Sequence, residues 1–355
     1  PTNDLMAISN IQFRFLKYPL FWMPSFKTNL KKFVSAPVQW RFHWGGSQGP
    51  RIGMRYKFLS KENFDAFLRL DYRTRRGIGG GIETKYLSPD EKEHLLTRNY
   101  IAYDTSISDS TKRRRFRFDG DYEKKLYEDR LLLDLHYDRL SDEDMVSDFD
   151  TYGFDIGQSK RTHLRLRHIR EQWMATLFSS VRINNFQSLK QELPTLHWRV
   201  FPFSLGDSGV MMDNNIKMSF LDFVHAKGVA ASDYHSARIQ LDSRLYKPFS
   251  AANMTITPRA GFLGTYYTNS ADGDGKWIGM GAFGGDISSS LYSYYGTSKH
   301  VIEPYVGYTY YTSPSSSPSQ HYIFDEDDAL TEYNVLRFGI RNSYFTKDTQ
   351  SFSRP

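Results

Sequence analysis

The sequence has no cysteine and no long run of apolar residues. The missing cysteines exclude a disulfide framework and thiolate metal sites within these 355 residues. The missing apolar runs exclude a transmembrane helix, which needs about 20 consecutive apolar residues. Alanine, the strongest helix former, is scarce, whereas 24 tyrosines and 26 phenylalanines are present. Because aromatic residues favour strands, the composition predicts a protein rich in β-structure.

Apolar and charged residues alternate along many segments, with the period of two that is typical of a β-strand. In the segment 51–59 one face is apolar and holds Ile52, Met54, Tyr56 and Phe58. The same alternation recurs at residues 65–73, 131–138, 164–167, 238–242 and 336–341. Together these segments and others like them predict about sixteen strands. Many span about ten residues, which is longer than the ~5 to 6 of a typical soluble strand.

The second face of the predicted strands carries repeated arginine and aspartate. A wide, water-filled lumen accommodates such a face, while the apolar face meets lipid. We therefore predict an all-β fold, an antiparallel transmembrane β-barrel in the outer membrane. The candidates for lumen-facing residues are Arg55, Arg73, Arg165, Arg167 and Arg238. A soluble antiparallel sheet with one solvated face is the alternative.

The ends of the sequence suggest a piece of a longer protein. It starts at Pro1 without a methionine and ends at Pro355 in a polar stretch. We expect residues 1–30 to be the last part of a preceding domain and a linker. Residues 31–355 are then the outer-membrane barrel. Within it we predict short connections at 60–63 and 247–251, and long surface loops at 141–160 and 313–332.

Three short motifs resemble chemical sites but fit structural roles better. Gly206 to Gly209 has the order Gly-Asp-Ser-Gly of a protease nucleophile segment, yet a hairpin turn between two strands explains it. Asp272 to Gly275 resembles a calcium loop but lacks the glutamate at the twelfth position. The glycines between residues 77 and 81 precede no helix, so they predict a bend or bulge in a strand instead of a phosphate cradle.

Histidines and basic residues offer two further candidate sites. His136, His163 and His168 are interpreted as lumen-facing polar residues, and we predict no metal site, no cofactor and no catalytic residue. The segment from Lys112 to Arg117 is the densest basic cluster in a chain of net charge +6. Basic residues with an interleaved aromatic can bind nucleic acid. Because alternating strands surround the segment, we favour a basic strand end at a membrane surface and predict no nucleic-acid partner.

Four segments follow one another in the order of a known protein family. The residues that carry the resemblance are Pro19 and Pro24 in 15–24; Arg75, Arg76 and Gly77 with the segment 83–87; Arg139, Ser141, Asp142, Asp148 and Phe149; and Glu303 and Pro304 before 305–311. In this order they resemble the LptD family of lipopolysaccharide-assembly proteins, also called organic solvent tolerance proteins or OstA. The third group is the most specific. The first group implies that residues 1–30 are the end of the family's periplasmic β-jellyroll and a linker.

The resemblance implies insertion of lipopolysaccharide into the outer leaflet of a Gram-negative outer membrane, through a lateral opening in the barrel and without catalysis. It implies three partners, namely lipopolysaccharide, the plug lipoprotein LptE and the periplasmic bridge protein LptA. The family's barrel has more than sixteen strands, so the resemblance implies that residues 31–355 lack its C-terminal strands. The disulfide cysteines of many members are absent here. A general porin or other transport barrel and a soluble β-rich binding protein are the alternatives.

Pro37 is the candidate residue for the lateral gate. It lies in the predicted first barrel strand, at residues 32–44. A proline donates no hydrogen bond to the strand ladder and so weakens strand pairing. The family is similar in carrying prolines in its first two strands, but the second strand here, residues 51–59, has none. A linker role for Pro37 is the alternative.

Overall fold

The computed structural model describes residues 5–15, 18–29, 38–44, 49–149 and 162–347. These residues form twenty β-strands and one short helix, α1 (Met145–Asp148). Single 3₁₀ turns lie at Ser110–Lys112, Gly206–Ser208, Pro318–Gln320 and Glu326–Asp328. None of the helices in these segments has the length and apolar character needed to cross a membrane.

The strands have the following bounds. The first ten are β1 (Leu5–Phe15), β2 (Tyr18–Asn29), β3 (Val38–His43), β4 (Arg51–Ser60), β5 (Phe64–Arg73), β6 (Gly77–Leu87), β7 (Glu93–Asp104), β8 (Arg114–Leu126), β9 (Leu131–Leu140) and β10 (Thr162–Ile169). The other ten are β11 (Trp173–Val181), β12 (Leu189–Ser204), β13 (Met211–Val224), β14 (Tyr234–Tyr246), β15 (Phe249–Ala251), β16 (Met254–Tyr267), β17 (Lys276–Ser289), β18 (Leu291–Tyr295), β19 (Ser298–Tyr311) and β20 (Tyr333–Thr346).

Two antiparallel sheets contain these strands. Strands β1 and β2 form a two-stranded sheet of their own, and strands β3 to β20 have the order of a closed β-barrel. The all-β antiparallel barrel predicted from the alternation is confirmed. The assignment of residues 1–30 to a jellyroll stays a prediction. So does the boundary at residue 31, which lies outside the described residues.

The barrel sheet has eighteen strands within the described residues, compared with about sixteen predicted. Two interruptions account for the difference. β15 pairs with β16 at residues 254–256, and β14 pairs with β16 at residues 259–267, so β14 and β15 occupy one position in the sheet. β17 and β18 share β19 in the same way. The connection predicted at 247–251 is wrong, because the turn comes after β15, where Ala252 has a positive φ of 53°.

The described residues divide into two compact units. The first unit comprises the residues up to 168, with 177–193 and 224–233; the second comprises 169–176, 194–223 and the residues from 234. In the first unit each strand from β3 to β10 pairs antiparallel with the next. In the second unit β13, β14, β16, β17, β19 and β20 pair in succession.

Burial on the strands is inverted relative to a soluble protein. On β5, Asp71 and Arg73 are buried whereas Leu70 and Tyr72 are exposed. On β14 of the second unit, Arg238 is fully buried beside an exposed Ile239. Buried charge next to exposed apolar side chains is the reverse of what water favours. It is the arrangement expected of a barrel whose apolar face meets lipid.

Two of the glycine-rich motifs form the predicted hairpin turns. Gly206–Ser208 is a 3₁₀ turn between β12 and β13, closed by Gly209 in the left-handed region at φ 68°. The segment 272–275 connects β16 to β17, with Gly273 at φ 86°. Each position favours glycine because a side chain is strained at such φ values. Both segments are explained as connections between strands.

Gly77 follows the tight turn between β5 and β6 and has φ 101°. Gly79, Gly80 and Gly81 form neither a bend nor a bulge, so the prediction is wrong for these three. β6 pairs with β5 and β7 without a register shift. A Cβ on Gly79 would lie 1.9 Å from the hydroxyl oxygen of Tyr100, and a Cβ on Gly81 would lie 1.9 Å from the carbonyl oxygen of Asn99. The glycines therefore leave space for Tyr100 to cross β6 and reach β5.

Candidate functional site

A cavity of about 430 Å³ lies against strands β3 to β7 of the first unit, and we call it the arginine cavity. The strand register puts its charged residues on one face, since Arg55 pairs with Arg69 and Glu83 pairs with Arg98. Its charged lining consists of Arg41, Arg51, Arg55, Arg69, Arg73, Arg98, Asp71 and Glu83. Six arginines against two carboxylates leave a formal charge of +4, so the cavity favours an anionic ligand.

The carboxylates of the cavity hold its arginines in place. Glu83 accepts hydrogen bonds from Arg55 at 2.8 Å and from Arg69 at 3.4 Å. Arg73 is fully buried, forms an ion pair with Asp71, and donates to the hydroxyl of Tyr100 at 2.7 Å. The Tyr100 hydroxyl in turn donates to Asp71 at 3.0 Å. Preorganised guanidinium groups on rigid strands are the form of site that binds phosphate by paired hydrogen bonds.

The connection after β9 is fastened to the charged face by a cluster of ion pairs, the first loop anchor. It consists of Arg76, Arg115, Asp104, Asp142 and Asp148. Arg115, on β8, donates to Asp104 at 3.1 Å and to Asp148 at 2.6 Å, and it also binds Asp142 through two nitrogens. Arg76 donates to Asp104 at 3.0 Å and binds Asp148 as well.

Apolar contacts complete the first loop anchor. Met145 and Phe149 of the connection are 1% exposed and pack with Tyr100, Ala102 and Leu140. The guanidinium carbon of Arg73 lies 4.8 Å from the centre of the Phe149 ring, and that of Arg115 lies 5.3 Å from it. These distances are within the range of cation–π contacts. Residues 141–149 therefore lie on the charged face, although the sequence predicted a surface loop.

The residues that carry the family resemblance have different environments in the structure. Arg76, Asp142, Asp148 and Phe149 meet in the first loop anchor, and the Ser141 hydroxyl accepts a hydrogen bond from the backbone N–H of Phe116 at 3.1 Å. Arg75 and Arg76 lie in the turn between β5 and β6, and Gly77 follows with φ 101°.

The other motif residues lie apart from the first loop anchor. Arg139 is exposed on β9 and lies over the Phe116 ring at 5.9 Å. Glu303 pairs with Arg341 at 3.6 Å, and Pro304 lies within β19, opposite Ile340. Pro19 and Pro24 belong to β2.

Each predicted lumen-facing arginine has its own set of contacts. Arg55 and Arg73 line the arginine cavity. Arg165 lies 3.5 Å from Asp134 and 5.5 Å from the Phe178 ring centre, and Arg167 is half-buried on β10. Arg238 is fully buried. That these side chains face a lumen stays a prediction. Pro37 lies outside the described residues, as do positions 32–36 of the predicted first strand.

In the second unit, a smaller cluster holds the connection between β19 and β20. We call it the second loop anchor, and it consists of Arg238, Tyr267, Asp325 and Asp328. Arg238 donates to Asp325 at 2.8 Å and to Asp328 at 2.5 Å. The Tyr267 hydroxyl also donates to Asp328, at 2.5 Å. Asp328 is fully buried, so the segment 313–332, predicted as a surface loop, is partly packed against its strands.

The basic segment from Lys112 to Arg117 is divided between two environments. Lys112 and Arg114 are exposed, whereas Arg115 and Arg117 are 2% exposed and bound to carboxylates. Arg117 forms two hydrogen bonds of 2.9 Å with Asp138. Two of the five cations are therefore neutralised inside the first unit and take no part in a continuous nucleic-acid-binding surface.

Comparison with known proteins gives a distant similarity. No protein-family model matches the chain. The LPS-assembly proteins LptD of Vibrio vulnificus strains YJ016 and CMCP6 are 23% identical to it over 278 residues. That alignment covers 74% of this chain and 33% of each relative, so the chain spans about a third of the length of these curated relatives.

Among solved structures, in-vitro folded OmpT, an outer membrane protein of Vibrio cholerae, aligns with 88% of this chain and 99% of its own. The TM-score is 0.29 and the identity 8%, values too low to establish a common fold. The strand pairing and the inverted burial carry the assignment instead. They make the chain an outer-membrane β-barrel protein.

Proposed function

We propose that this chain is the barrel part of a protein that inserts lipopolysaccharide into the outer leaflet of a Gram-negative outer membrane. The observation that carries the proposal is the arginine cavity, with its formal charge of +4. Lipopolysaccharide is an amphiphile with phosphates on its sugars, and arginine binds phosphate through two parallel hydrogen bonds. The sugars and phosphates then move along the charged face while the acyl chains stay on the lipid side.

The name of the two relatives, LPS-assembly protein LptD, supports this substrate. The resemblance of the ordered motifs adds two partners to the proposal, the plug lipoprotein LptE and the periplasmic bridge protein LptA. The transfer forms and breaks no covalent bond in the lipid, so the proposal assigns no catalytic residue. The barrel contributes a path, and the arginine cavity binds the phosphates along it.

The proposal is tested with the double variant Arg41→Gln and Arg51→Gln in the full-length protein. Both side chains line the arginine cavity from neighbouring strands, β3 and β4. We expect slower arrival of newly made lipopolysaccharide at the cell surface, measured by its modification in the outer leaflet, and less lipopolysaccharide bound to the purified barrel. The matched control is Arg341→Gln, which removes an exposed arginine that pairs with Glu303.

Delivery at the parental rate in the double variant, with normal barrel assembly, would contradict the cavity's role. A general porin is distinguished by a second measurement on the same material. A porin has a water-filled channel and conducts ions in planar bilayers. Steady conductance together with no lipopolysaccharide retention would favour the porin.

The lateral exit at Pro37 is a separate proposal, next to the start of β3 (Val38–His43). Each lost ladder hydrogen bond is worth about 0.5–1.5 kcal/mol, so one proline favours opening of a strand pair without causing it. We expect Pro37→Ala to slow delivery of lipopolysaccharide while the barrel still assembles. Unchanged delivery would assign Pro37 to a linker.

A further inference from the structure

Four polar side chains form a square on the charged face of strands β8 and β9. Asp119 pairs with Asp138 across the two strands, and Asp121 pairs with His136. Residues two apart on a strand point to the same side, so all four side chains share one face. Asp119, His136 and Asp138 are 1%, 2% and 1% exposed. One ligand atom from each of these three lies within 4.8 Å of the others.

Two atoms of this square are buried without a hydrogen-bond partner. They are Nε2 of His136 and Oδ1 of Asp119, and they lie 3.9 Å apart. A buried polar atom without a partner costs about 1–3 kcal/mol, so two such atoms facing each other need an explanation. A proton on Nε2 does not supply one, because an N–H group at 3.9 Å from its acceptor forms no hydrogen bond. A metal ion between the two atoms does, since metal–nitrogen and metal–oxygen bonds are about 2.0–2.2 Å.

Asp121 prepares the imidazole of His136 for this role. Its carboxylate binds Nδ1 of His136, so Nδ1 carries the proton and Nε2 keeps its lone pair. A carboxylate that accepts the second N–H of a ligand histidine is the usual partner of metal-binding histidines. The orientation of the ring therefore follows from the strand register, which puts Asp121 opposite His136.

Two arginines set the charge of the square. Arg98 donates to Oδ2 of Asp119 at 2.8 Å, and Arg117 donates to both carboxylate oxygens of Asp138 at 2.9 Å. Three carboxylates and two guanidinium groups leave a formal charge of −1 with His136 neutral, which favours a cation. Arg98 uses Oδ2 of Asp119, and Oδ1 lies 3.9 Å from Nε2 of His136 and 3.9 Å from a guanidinium nitrogen of Arg117.

We propose that Asp119, His136 and Asp138 bind one divalent transition-metal ion, with Zn²⁺ as the representative. Asp119 and His136 supply Oδ1 and Nε2, and Asp138 shares an oxygen with Arg117. One imidazole with two carboxylates suits Zn²⁺, whereas Ca²⁺ and Mg²⁺ prefer oxygen ligands throughout. The ion joins β8 to β9 beside the first loop anchor. The three proposed ligands lie outside the arginine cavity, although Arg98, which donates to Asp119, also lines that cavity. The metal site does not rest on the proposed function.

The test is a metal titration of the purified full chain in detergent, after removal of metals with a chelator. We expect one Zn²⁺ per chain, and visible absorption bands when Co²⁺ replaces Zn²⁺. His136→Gln abolishes both signals, and Asp121→Asn lowers the affinity about 10- to 100-fold, as loss of a histidine's carboxylate partner does elsewhere. His163→Gln is the matched control. Its ring centre is 5.8 Å from that of His136, and its Nε2 lies 3.4 Å from Asp134.

Three outcomes would overturn the proposal. The first is an absence of Zn²⁺ binding, which leaves a bridging water between the two atoms. The second is Zn²⁺ binding that His136→Gln does not weaken, and the third is Ca²⁺ binding as tight as that of Zn²⁺, which indicates an acidic patch only. Folding of each variant is checked by the shift in gel mobility of the unheated barrel. Asp138→Asn, which keeps the shape of the side chain, tests the site if His136→Gln fails to assemble.

Discussion

The two loop anchors use the same chemistry with different amounts of support. Each holds a connection to the charged face through an arginine of a strand, Arg115 in the first unit and Arg238 in the second. Arg115 contacts three carboxylates, one of which, Asp104, belongs to β7. Arg238 contacts the carboxylates of the segment 325–328, and the acceptor Asp328 has further donors.

Because of these further donors, Asp328 of the second loop anchor does not depend on Arg238 alone. The backbone N–H groups of Phe324 and Asp325 donate to Asp328 at 2.8 and 3.2 Å, and Tyr267 adds its hydroxyl. Asp104 in the first loop anchor receives hydrogen bonds from two arginines and from Ser106. A buried carboxylate is tolerated only when its charge is compensated. Arg115 forms hydrogen bonds with three carboxylates, whereas Arg238 forms them with two. For this reason we expect the first loop anchor to depend more strongly on its central arginine than the second does.

The largest effect is expected from Arg115→Ala. Loss of this side chain leaves Asp142 without its arginine, leaves Asp148 bound to Arg76 alone and deprives the buried Asp104 of one of its two arginines. Removing one partner of a buried ion pair costs about 3–5 kcal/mol. The free energy of unfolding in urea measures the loss, and cleavage within residues 141–149 by a protease reports release of the connection. Arg114→Ala, at the exposed neighbouring position, is the control. Equal stability of the two variants would contradict the role of Arg115.

Arg238→Ala is expected to have a smaller effect, about 1.5–3 kcal/mol, the value of hydrogen bonds to a charged group. Asp328 keeps its bonds from Tyr267, Phe324 and Asp325, so the segment 313–332 loosens without full release. Protease cleavage in this segment is the local measurement. The control on the same strand is Arg244→Ala, an exposed arginine paired with Asp242 at 2.7 Å. A loss larger than that of Arg115→Ala would reverse the comparison.

Gly79→Ala tests a feature that distinguishes the two loop anchors. The β6 glycines make room for Tyr100 in the first, and the second has no equivalent glycines among the described residues. The new methyl group overlaps the Tyr100 hydroxyl and separates it from Arg73 and Asp71. We expect a loss of about 1–3 kcal/mol, the cost of overpacking, with looser packing of Phe149. Gly53→Ala is the control, since its methyl group meets nothing closer than 3.8 Å. Identical unfolding of the two variants would argue against the role assigned to the glycines.

The connection at residues 225–233, between β13 and β14, is the one for which we expect the smallest effect. The backbone N–H of His225 donates to Asp233 at 2.7 Å and holds the pKa of this carboxyl below its ordinary value of 3.8. A lowered pKa stabilises the connection above about pH 4, and the stabilisation is lost as the pH falls below that value. Asp233 is 53% exposed, so we expect Asp233→Asn to leave global unfolding unchanged at pH 7. A loss comparable to that of Arg238→Ala would show that exposed connections are fastened as firmly as the anchored ones.

The alternation of residue types predicted the strands well but not the packing of the connections. Asp142, Asp148, Asp325 and Asp328 lie in segments rich in polar residues, which the sequence assigned to the surface. Their partners Arg115 and Arg238 are far away along the chain, and local patterns contain no information on such pairs. The ordered motif residues were a usable signal for the first loop anchor, because four of them meet there. No such signal marked the second.

The polar square on β8 and β9 was missed for a related reason. His136 was identified as a polar residue of a charged strand, and a metal site was not predicted. Its neighbours Asp119 and Asp121 come from the preceding strand, and the spacing matches no short metal motif. Only the register, with Asp121 opposite His136, puts the carboxylates beside the imidazole.

By itself the sequence determined that the chain forms long antiparallel strands with one apolar and one charged face. A period of two in residue type is local information, and the inverted burial follows once lipid is the solvent of the apolar face. Tertiary structure alone decided which polar side chains meet. Arg115 meets Asp148, and Arg238 meets Asp328. Tyr100 passes Gly79 of β6 and reaches Arg73 on β5. These contacts depend on strand register and on how each connection folds back. Both are set by the summed pairing of many residues, and no single segment encodes them.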